Sequence, residues 1–445
     1  MKSNVYKKIA KKFMPKSVQR LIIWLLYSRD VSLLYRHRLA IIKGEKIWDE
    51  PIKKLKKKTK IKVGFVLGSA SYWVGDLLYN YFANDNRFEP FVIIIPFFNG
   101  TDETIQSEYE RALSFFLEKE IPVIGTVKDT VYRNRTWKEC GEPDIVYYAN
   151  PHMVSFPIEW RPEKLPANIL TFYIPYGFLL ADITQAQFNQ EAHHMFWRIF
   201  CESNISKQLF SKYSDIGDRN VVFSGYPKMD AFYGALGSYK WKGAVNAKKF
   251  IYSPHHSLCM TENGLAHSTF KENYKYMIEL AKKYSKTTSW IFRPHPFLEK
   301  ACIKDGMFTK DEWHDYIESW NALPNGETQI SGDYTTVFQT CDGIINDSVS
   351  YLAEILYVHK PMLYLKSEEA AFNDFGKSLE KIHYTCAGND YKAIEEFIKM
   401  IMEEDDPMKA DRELYFNENL NYMKSNGMTA SCYIYKYVKE AVLEN

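Results

Sequence analysis

The sequence predicts an α/β protein made of two similar halves that face a cleft, and three observations carry that reading. Short apolar runs alternate with amphipathic stretches from Ile61 onward, the turns after those runs are rich in Gly, Pro, His and Ser, and an irregular Gly-, Tyr- and Lys-containing segment, 232–246, interrupts the series. Continuous apolar runs of four to eight residues suit strands covered on both faces, as in parallel sheets. Loops that follow the carboxyl ends of such strands form the ligand crevice.

Composition narrows the functional classes. With 445 residues, 46% of them hydrophobic and 25% charged, the chain has room for two or three folded domains. A net charge of +2 excludes a protein that binds nucleic acid through its whole surface. The seven cysteines are scattered without a CxxC pair, which argues against a disulfide scaffold or a structural zinc and suits a reducing cytoplasm. No HExxH or DxD is present, so no metal is expected. The apolar run Leu21 to Tyr27 is too short to span a bilayer and lacks a cleavage site of small residues.

Residues 1–60 read as a basic helical extension. Val5, Ile9 and Phe13 share one face among lysines, Val18, Leu21, Ile22 and Leu25 continue an apolar face, and Lys53, Lys54, Lys56, Lys57, Lys58 and Lys60 close the segment. Such a face suits either an anionic membrane or the protein's own core.

The first α/β series, 61–231, opens with a strand at Ile61–Leu67, a turn of small residues at Gly68–Ser71 and a helix from near Trp73, without GxGxxG. Strands follow at 91–96, 121–124, 144–148, 169–174, 195–201 and 221–223, with a helix over 101–120. Three of the turns carry chemistry: Asn150, Pro151 and His152; Pro175, Tyr176 and Gly177; Gly225, Tyr226 and Pro227.

After the 232–246 linker, the second series, 247–445, repeats the rhythm. A strand at 250–253 ends in Pro254, His255 and His256; a helix over 270–284 follows; a strand at 289–292 ends in Arg293, Pro294, His295 and Pro296. A helix over 310–320 leads to Ile344 and Ile345, then Asn346, Asp347, Ser348 and Ser350. Asp347 or Ser348 is placed to cap a helix carrying Tyr351, Leu352, Ile355, Leu356 and Val358, which Lys360 and Pro361 end before a strand at 362–365. Its N-terminus and the Ser348 and Ser350 hydroxyls would form an anion site, with Glu354 one turn beyond Ser350. Helices over 391–402 and 429–442 close the chain.

In this order the motifs resemble the CDP-glycerol glycerophosphotransferase family of teichoic-acid and capsule enzymes. Gly225, Tyr226, Pro227, Lys228, Met229 and Asp230 are similar to its Gly-x-Pro-Arg-x-Asp element at the domain junction. Ser253–Ser257 takes the place of its Ala-Pro-Thr strand end, and Arg293–Pro296 is similar to its Arg-x-His-Pro motif. Asn346–Ser350 with Lys360 and Pro361 is similar to Thr-Asp-Tyr-Ser-Ser followed by Lys-Pro, and Asn426, Gly427, Met428 and Ala430 echo Asp-Gly-x-Ala.

The resemblance implies a GT-B-like fold with two Rossmann-like domains, an acceptor domain first and a donor-nucleotide domain second. It further implies cytoplasmic, peripheral attachment at the inner face of the plasma membrane, through residues 1–60. The implied reaction transfers glycerol phosphate or ribitol phosphate from a CDP-linked donor, a substrate rather than a cofactor, to a glycan or lipid-linked acceptor. His255, Arg293, His295, Asp347, Ser348, Ser350 and Glu354 would hold the donor, and His295 would also serve the leaving phosphate. His255 is preferred to His256 because neighbouring residues of a strand point to opposite faces.

The family's His-Gly pair, whose histidine is the proposed base, is replaced here by the turn Ile174 to Phe178. That leaves His152 as the expected base, with His193 and His194 behind it and Tyr176 as a substrate contact. Two other readings stay open: a glycosyltransferase of the same fold using a nucleotide sugar, and a noncatalytic module that binds anionic glycans.

Overall fold

The computed structural model describes residues 15, 31–258, 266–330, 332 and 334–443. The expected apolar face of Val5 to Leu25 lies outside the described residues.

Two parallel sheets organise the chain. The first takes β1 (Ile61–Leu67), β2 (Phe88–Ile94), β3 (Val123–Gly125), β4 (Ile145–Tyr148), β5 (Leu170–Tyr173), β6 (Arg198–Cys201) and β7 (Val221–Phe223) in the order β3-β2-β1-β4-β5-β6-β7. The second takes β8 (Lys248–Ser253), β9 (Thr288–Phe292), β10 (Gly326–Thr328), β11 (Gly343–Asn346), β12 (Met362–Lys366) and β13 (Tyr384–Ala387) in the order β10-β9-β8-β11-β12-β13. Strand order reverses at β1, between β2 and β4, and at β8, between β9 and β11. Crevices open at such points in doubly wound sheets.

The middles of the central strands are apolar because helices cover both faces. Phe65, Val66 and Leu67 of β1, Trp290, Ile291 and Phe292 of β9, and Ile344 and Ile345 of β11 are all fully buried. The helix Asp102–Glu118 starts where expected, with the Thr101 hydroxyl accepting the Thr104 amide at 3.3 Å. After β1, a 3-10 turn at Ala70–Tyr72 takes the place of the helix expected near Trp73, and the α-helix begins only at Asp76.

The basic extension forms helices at Val31–Lys43 and Asp49–Lys56, and these dock on the protein itself. Arg36 donates to the Pro162 and Leu165 carbonyls, His37 meets His194 at 3.2 Å between Nδ1 atoms, and Leu55 is buried. Lys53, Lys54, Lys57, Lys58 and Lys60 stay exposed.

The two halves are fastened in three places. Ala181 and Phe372 form an antiparallel bridge, with Asn373 donating its amide to Leu180 at 2.9 Å. At the junction, Gly225 holds φ +81° and packs so tightly on Tyr422 that a Cβ would fall 2.2 Å from the ring. Pro227 opens a 3-10 turn, Pro227–Tyr233, and Asp230 at its centre caps the last helix, Ala430–Leu443. Its carboxylate accepts from the Ala430 and Ser431 amides at 2.8 Å each and from the Tyr422 hydroxyl at 2.7 Å. That helix returns to the first sheet: Tyr435 stacks on Tyr81, and Lys439 pairs with Asp85 at 2.7 Å. The second unit therefore ends before residue 430 in space, although 247–445 is continuous in sequence.

Candidate functional site

The carboxyl ends of β8, β9 and β11 bring most of the expected donor residues together. His255 and His256 lie beyond Ser253, the last residue of β8, in a loop where strand alternation no longer applies. Both therefore belong to one cluster with His295, contrary to the expectation that only one would. Ring centres are 4.3 Å apart for His255 and His256, 5.1 Å for His255 and His295, and 4.1 Å for His256 and His295.

Local hydrogen bonds set the tautomers. The Phe297 amide donates to His295 Nδ1 at 3.1 Å, and the Ser257 amide donates to His255 Nδ1 at 3.3 Å, with Ser257 Oγ 2.8 Å from the same nitrogen. Ser257 Oγ already accepts the His267 amide at 2.9 Å, so its proton is free to point at His255. With Nδ1 accepting, each neutral ring carries its proton on Nε2. Burial first, then repulsion among the rings, holds His255 well below the ordinary histidine range and His295 down at about 3; burial alone takes His256 to about 4. The cluster is thus a set of neutral N–H donors at neutral pH. One nitrogen from each of the three rings lies within 4.8 Å of the others, a spacing that also suits a metal ion, but the Nδ1 bonds leave His255 and His295 offering protons rather than lone pairs.

Asp347 works differently from a helix cap. Its carboxylate accepts the His255 amide, the Thr269 amide at 2.6 Å and the Thr269 hydroxyl at 3.0 Å, which pins both flanks of the segment 255–269. Burial pushes its pKa up to about 7 against the pull of those bonds. The expected long helix is absent: the α-helical turn is Tyr351–Glu354, continued by a 3-10 turn at Ile355–Val358, and its N-cap is Ser350, with no side-chain cap bond. The Ser348 amide donates to Asn346 Oδ1, and Ser348 is buried. Four residues of helix carry little dipole, so the anion-binding capacity rests on the side chains. Glu354 is buried and accepts the hydroxyl of Tyr334.

Arg293 donates from Nη1 to Gln329 Oε1 at 2.6 Å and from Nη2 to the Gly332 carbonyl at 3.0 Å, both neutral acceptors. Its guanidinium lies 5.4 Å from the ring centre of Tyr334, and the Lys228 ammonium lies 5.2 Å from that same centre.

On the first sheet, the β4 and β5 ends form a mainly aromatic group. Tyr176 packs against Tyr72 with ring centres 4.6 Å apart and the planes tilted at 41°, and Asn150 Oδ1 accepts the His152 amide at 2.7 Å. Burial lowers the pKa of the half-buried His152, which keeps the imidazole neutral at pH 7, with a lone pair able to take a proton. Tyr176 is 42% exposed. His193 is fully buried with Nδ1 accepting the Gln190 amide at 3.0 Å, and His194 bonds Asn189 Oδ1 at 2.8 Å, so these two histidines serve packing.

Sequence reasoning missed Tyr72 and Tyr334, which stand outside any motif, and His267, a buried ring whose two nitrogens find no partner among the described residues, 6.0 Å from His255. His256, passed over in favour of His255, had a readable signal in the doubled histidine itself.

No family model and no curated protein matches the chain. Solved structures do, and they establish the GT-B fold. A variant of the wall teichoic acid polymerase TagF aligns over 93% of this chain and 97% of its own, with 11% identity and a TM-score of 0.55. A UDP-GlcNAc 2-epimerase from Neisseria meningitidis bound to UDP-GlcNAc aligns over 87% and 100%, with 16% identity and a TM-score of 0.51. MnaA from S. aureus in complex with UDP aligns over 85% and 96%, with 13% identity and a TM-score of 0.50.

Proposed function

We propose that this GT-B chain is an enzyme that binds a nucleotide-activated donor, and more finely a transferase that moves an alditol phosphate from a CDP-linked donor to a cell-surface glycan or lipid-linked acceptor. The observation that carries the reading is the cluster of His255, His256 and His295 at the ends of β8 and β9, with Arg293 two residues before His295 and no carboxylate ion-paired to Arg293 among the described residues. Such a set of preorganised donors matches a diphosphate.

In the proposed reaction an acceptor hydroxyl gives its proton to His152 and attacks the phosphorus that bears the alditol. The bond from that phosphorus to the bridging oxygen breaks, and CMP leaves with the electron pair, stabilised by Arg293 and the His255 and His295 N–H groups. Tyr176 and Tyr72 offer aromatic faces to the acceptor. Glycerol phosphate is the first cargo and ribitol phosphate the second; the CDP-alditol is a substrate, and no further cofactor is invoked. The exposed lysines of 53–60 support work at the inner face of the plasma membrane.

A nucleotide-sugar transferase is the second reading, favoured by the missing histidine in the turn Ile174 to Phe178 and by the likeness to UDP-bound structures. Mass spectrometry of products from CDP-glycerol, CDP-ribitol and UDP-sugar donors with lipid-linked glycan acceptors separates the two. Release of CMP with a mass gain of one alditol phosphate is expected; UDP release with a sugar gained would replace the first reading by the second.

A further inference from the structure

Lys228 and Arg293 both approach one ring, from opposite halves of the molecule. Lys228 stands in the turn after β7, before the linker, whereas Arg293 follows β9 in the second sheet. Their charges sit 5.2 and 5.4 Å from the centre of Tyr334, a ring that is 8% exposed.

Among the described residues Lys228 makes no hydrogen bond and no ion pair, and Arg293 bonds only neutral oxygens. Two nearby carboxylates are already engaged among the described residues: Glu354 takes the Tyr334 hydroxyl, and Asp230, two residues from Lys228, takes Tyr422 and the two helix amides. Cation–π contact with Tyr334 offsets only part of the cost of holding each half-buried cation without an anionic partner. An anion that reaches both cations removes that cost.

We propose that Lys228 is a donor-binding residue that reaches from the first half to the distal phosphate of the nucleotide diphosphate, the one whose phosphorus is attacked. This rests on the nucleotide-donor reading above and adds a division of labour to it. Arg293 and the histidines hold the proximal phosphate from the second half, and Lys228 neutralises the transferring group from the side where the acceptor arrives. Diphosphate occupancy then bonds the two halves through the ligand, so donor binding and closure of the cleft support one another.

Titration calorimetry of the full chain with CDP and with CMP tests this, using the wild type, Lys228→Met, which keeps the apolar stem over Tyr334, and Lys228→Arg. CDP affinity is expected to fall about 10- to 100-fold in Lys228→Met, CMP affinity to stay unchanged, and Lys228→Arg to recover most of the loss. Equal weakening for CDP and CMP, or unchanged CDP affinity alongside a lower unfolding temperature, would show a clamp between the halves and overturn the proposal. Wild-type protein that binds neither CDP nor UDP would instead remove the donor reading and this inference with it.

Discussion

At the ends of β8, β9 and β11, polar groups are tied to backbone and to one another, whereas at the ends of β4 and β5 they stand among aromatic rings. On the second sheet, Asp347 fixes two amides and a hydroxyl, Ser257 and Phe297 set the tautomers of His255 and His295, and Gln329 orients Arg293. On the first, Tyr72 and Tyr176 pack in a tilted pair, and Asn150 holds the backbone of His152. A diphosphate is the same in every donor molecule and rewards a rigid cradle. A glycan or lipid-linked acceptor varies along its length, and flat rings accommodate it at small entropic cost.

The proposed reaction gives binding to one face and proton transfer to the other, so on that reading the largest effects should separate them. His152→Ala is expected to lower turnover about 100- to 10,000-fold while leaving CDP affinity intact, because a general base acts on the acceptor proton alone. His295→Ala is expected to weaken CDP by about 10- to 100-fold, through the loss of a desolvated N–H donor. Steady-state kinetics paired with calorimetry checks both. A His152→Ala protein that loses CDP affinity as His295→Ala does would erase the distinction between the faces.

A smaller effect separates the faces by pH. Asp347 has its pKa pushed up to about 7 by burial, above the ordinary carboxylate value near 4. Between those values the unfolded chain releases this proton while the folded chain keeps it, so the stability that Asp347 contributes is whole below pH ~4 and declines as pH rises to ~7. The histidines of the same face run the other way. Their lowered pKa values make stability fall as pH drops below ~6.5, because the unfolded chain then binds protons that the folded chain refuses. Asp347→Asn leaves the histidine slope and removes the opposing one. The difference between wild type and variant in urea unfolding is expected to change by a few kcal/mol between pH 4 and 7, on the order of the shift itself. A difference that is flat across that window would contradict the buried, protonatable Asp347.

Much of this was legible in the sequence because parallel strands under two helical layers must be apolar along their whole length. β1 and β7 match the expected bounds to the residue, while β10 and β13 were missed: both are edge strands, and neither forms a continuous apolar run. The placement of Arg293 and His295 at a strand end was legible because their prolines follow an apolar run directly. The role of Asp347 was not, since its partners Thr269 and His255 lie 78 and 92 residues away in sequence. The pairing of His255 with His256 escaped because alternation was extended past the last strand residue. No local pattern encodes how Lys228 and Tyr334 meet across the linker, 106 residues apart, since that contact exists only once both halves are docked.

The junction belongs to neither face, and Asp230→Asn measures it alone. The Asp230 carboxylate accepts three hydrogen bonds, from the Tyr422 hydroxyl and from two amides at the start of Ala430–Leu443. An asparagine keeps one oxygen for these donors and turns an NH2 group toward the rest, so one amide or the hydroxyl loses its acceptor inside a buried turn. The loss of stability is expected to be about 1–2 kcal/mol in urea unfolding, the scale of a helix cap. Burial already raises the Asp230 pKa, which makes the carboxylate costly to hold charged and trims the penalty for replacing it. CDP affinity should stay at the wild-type value, because the ring and cations of the donor site lie on other side chains. Weaker CDP binding in Asp230→Asn would mean that the turn carrying Lys228 moves with its neighbour, and that junction and donor face are one structural unit.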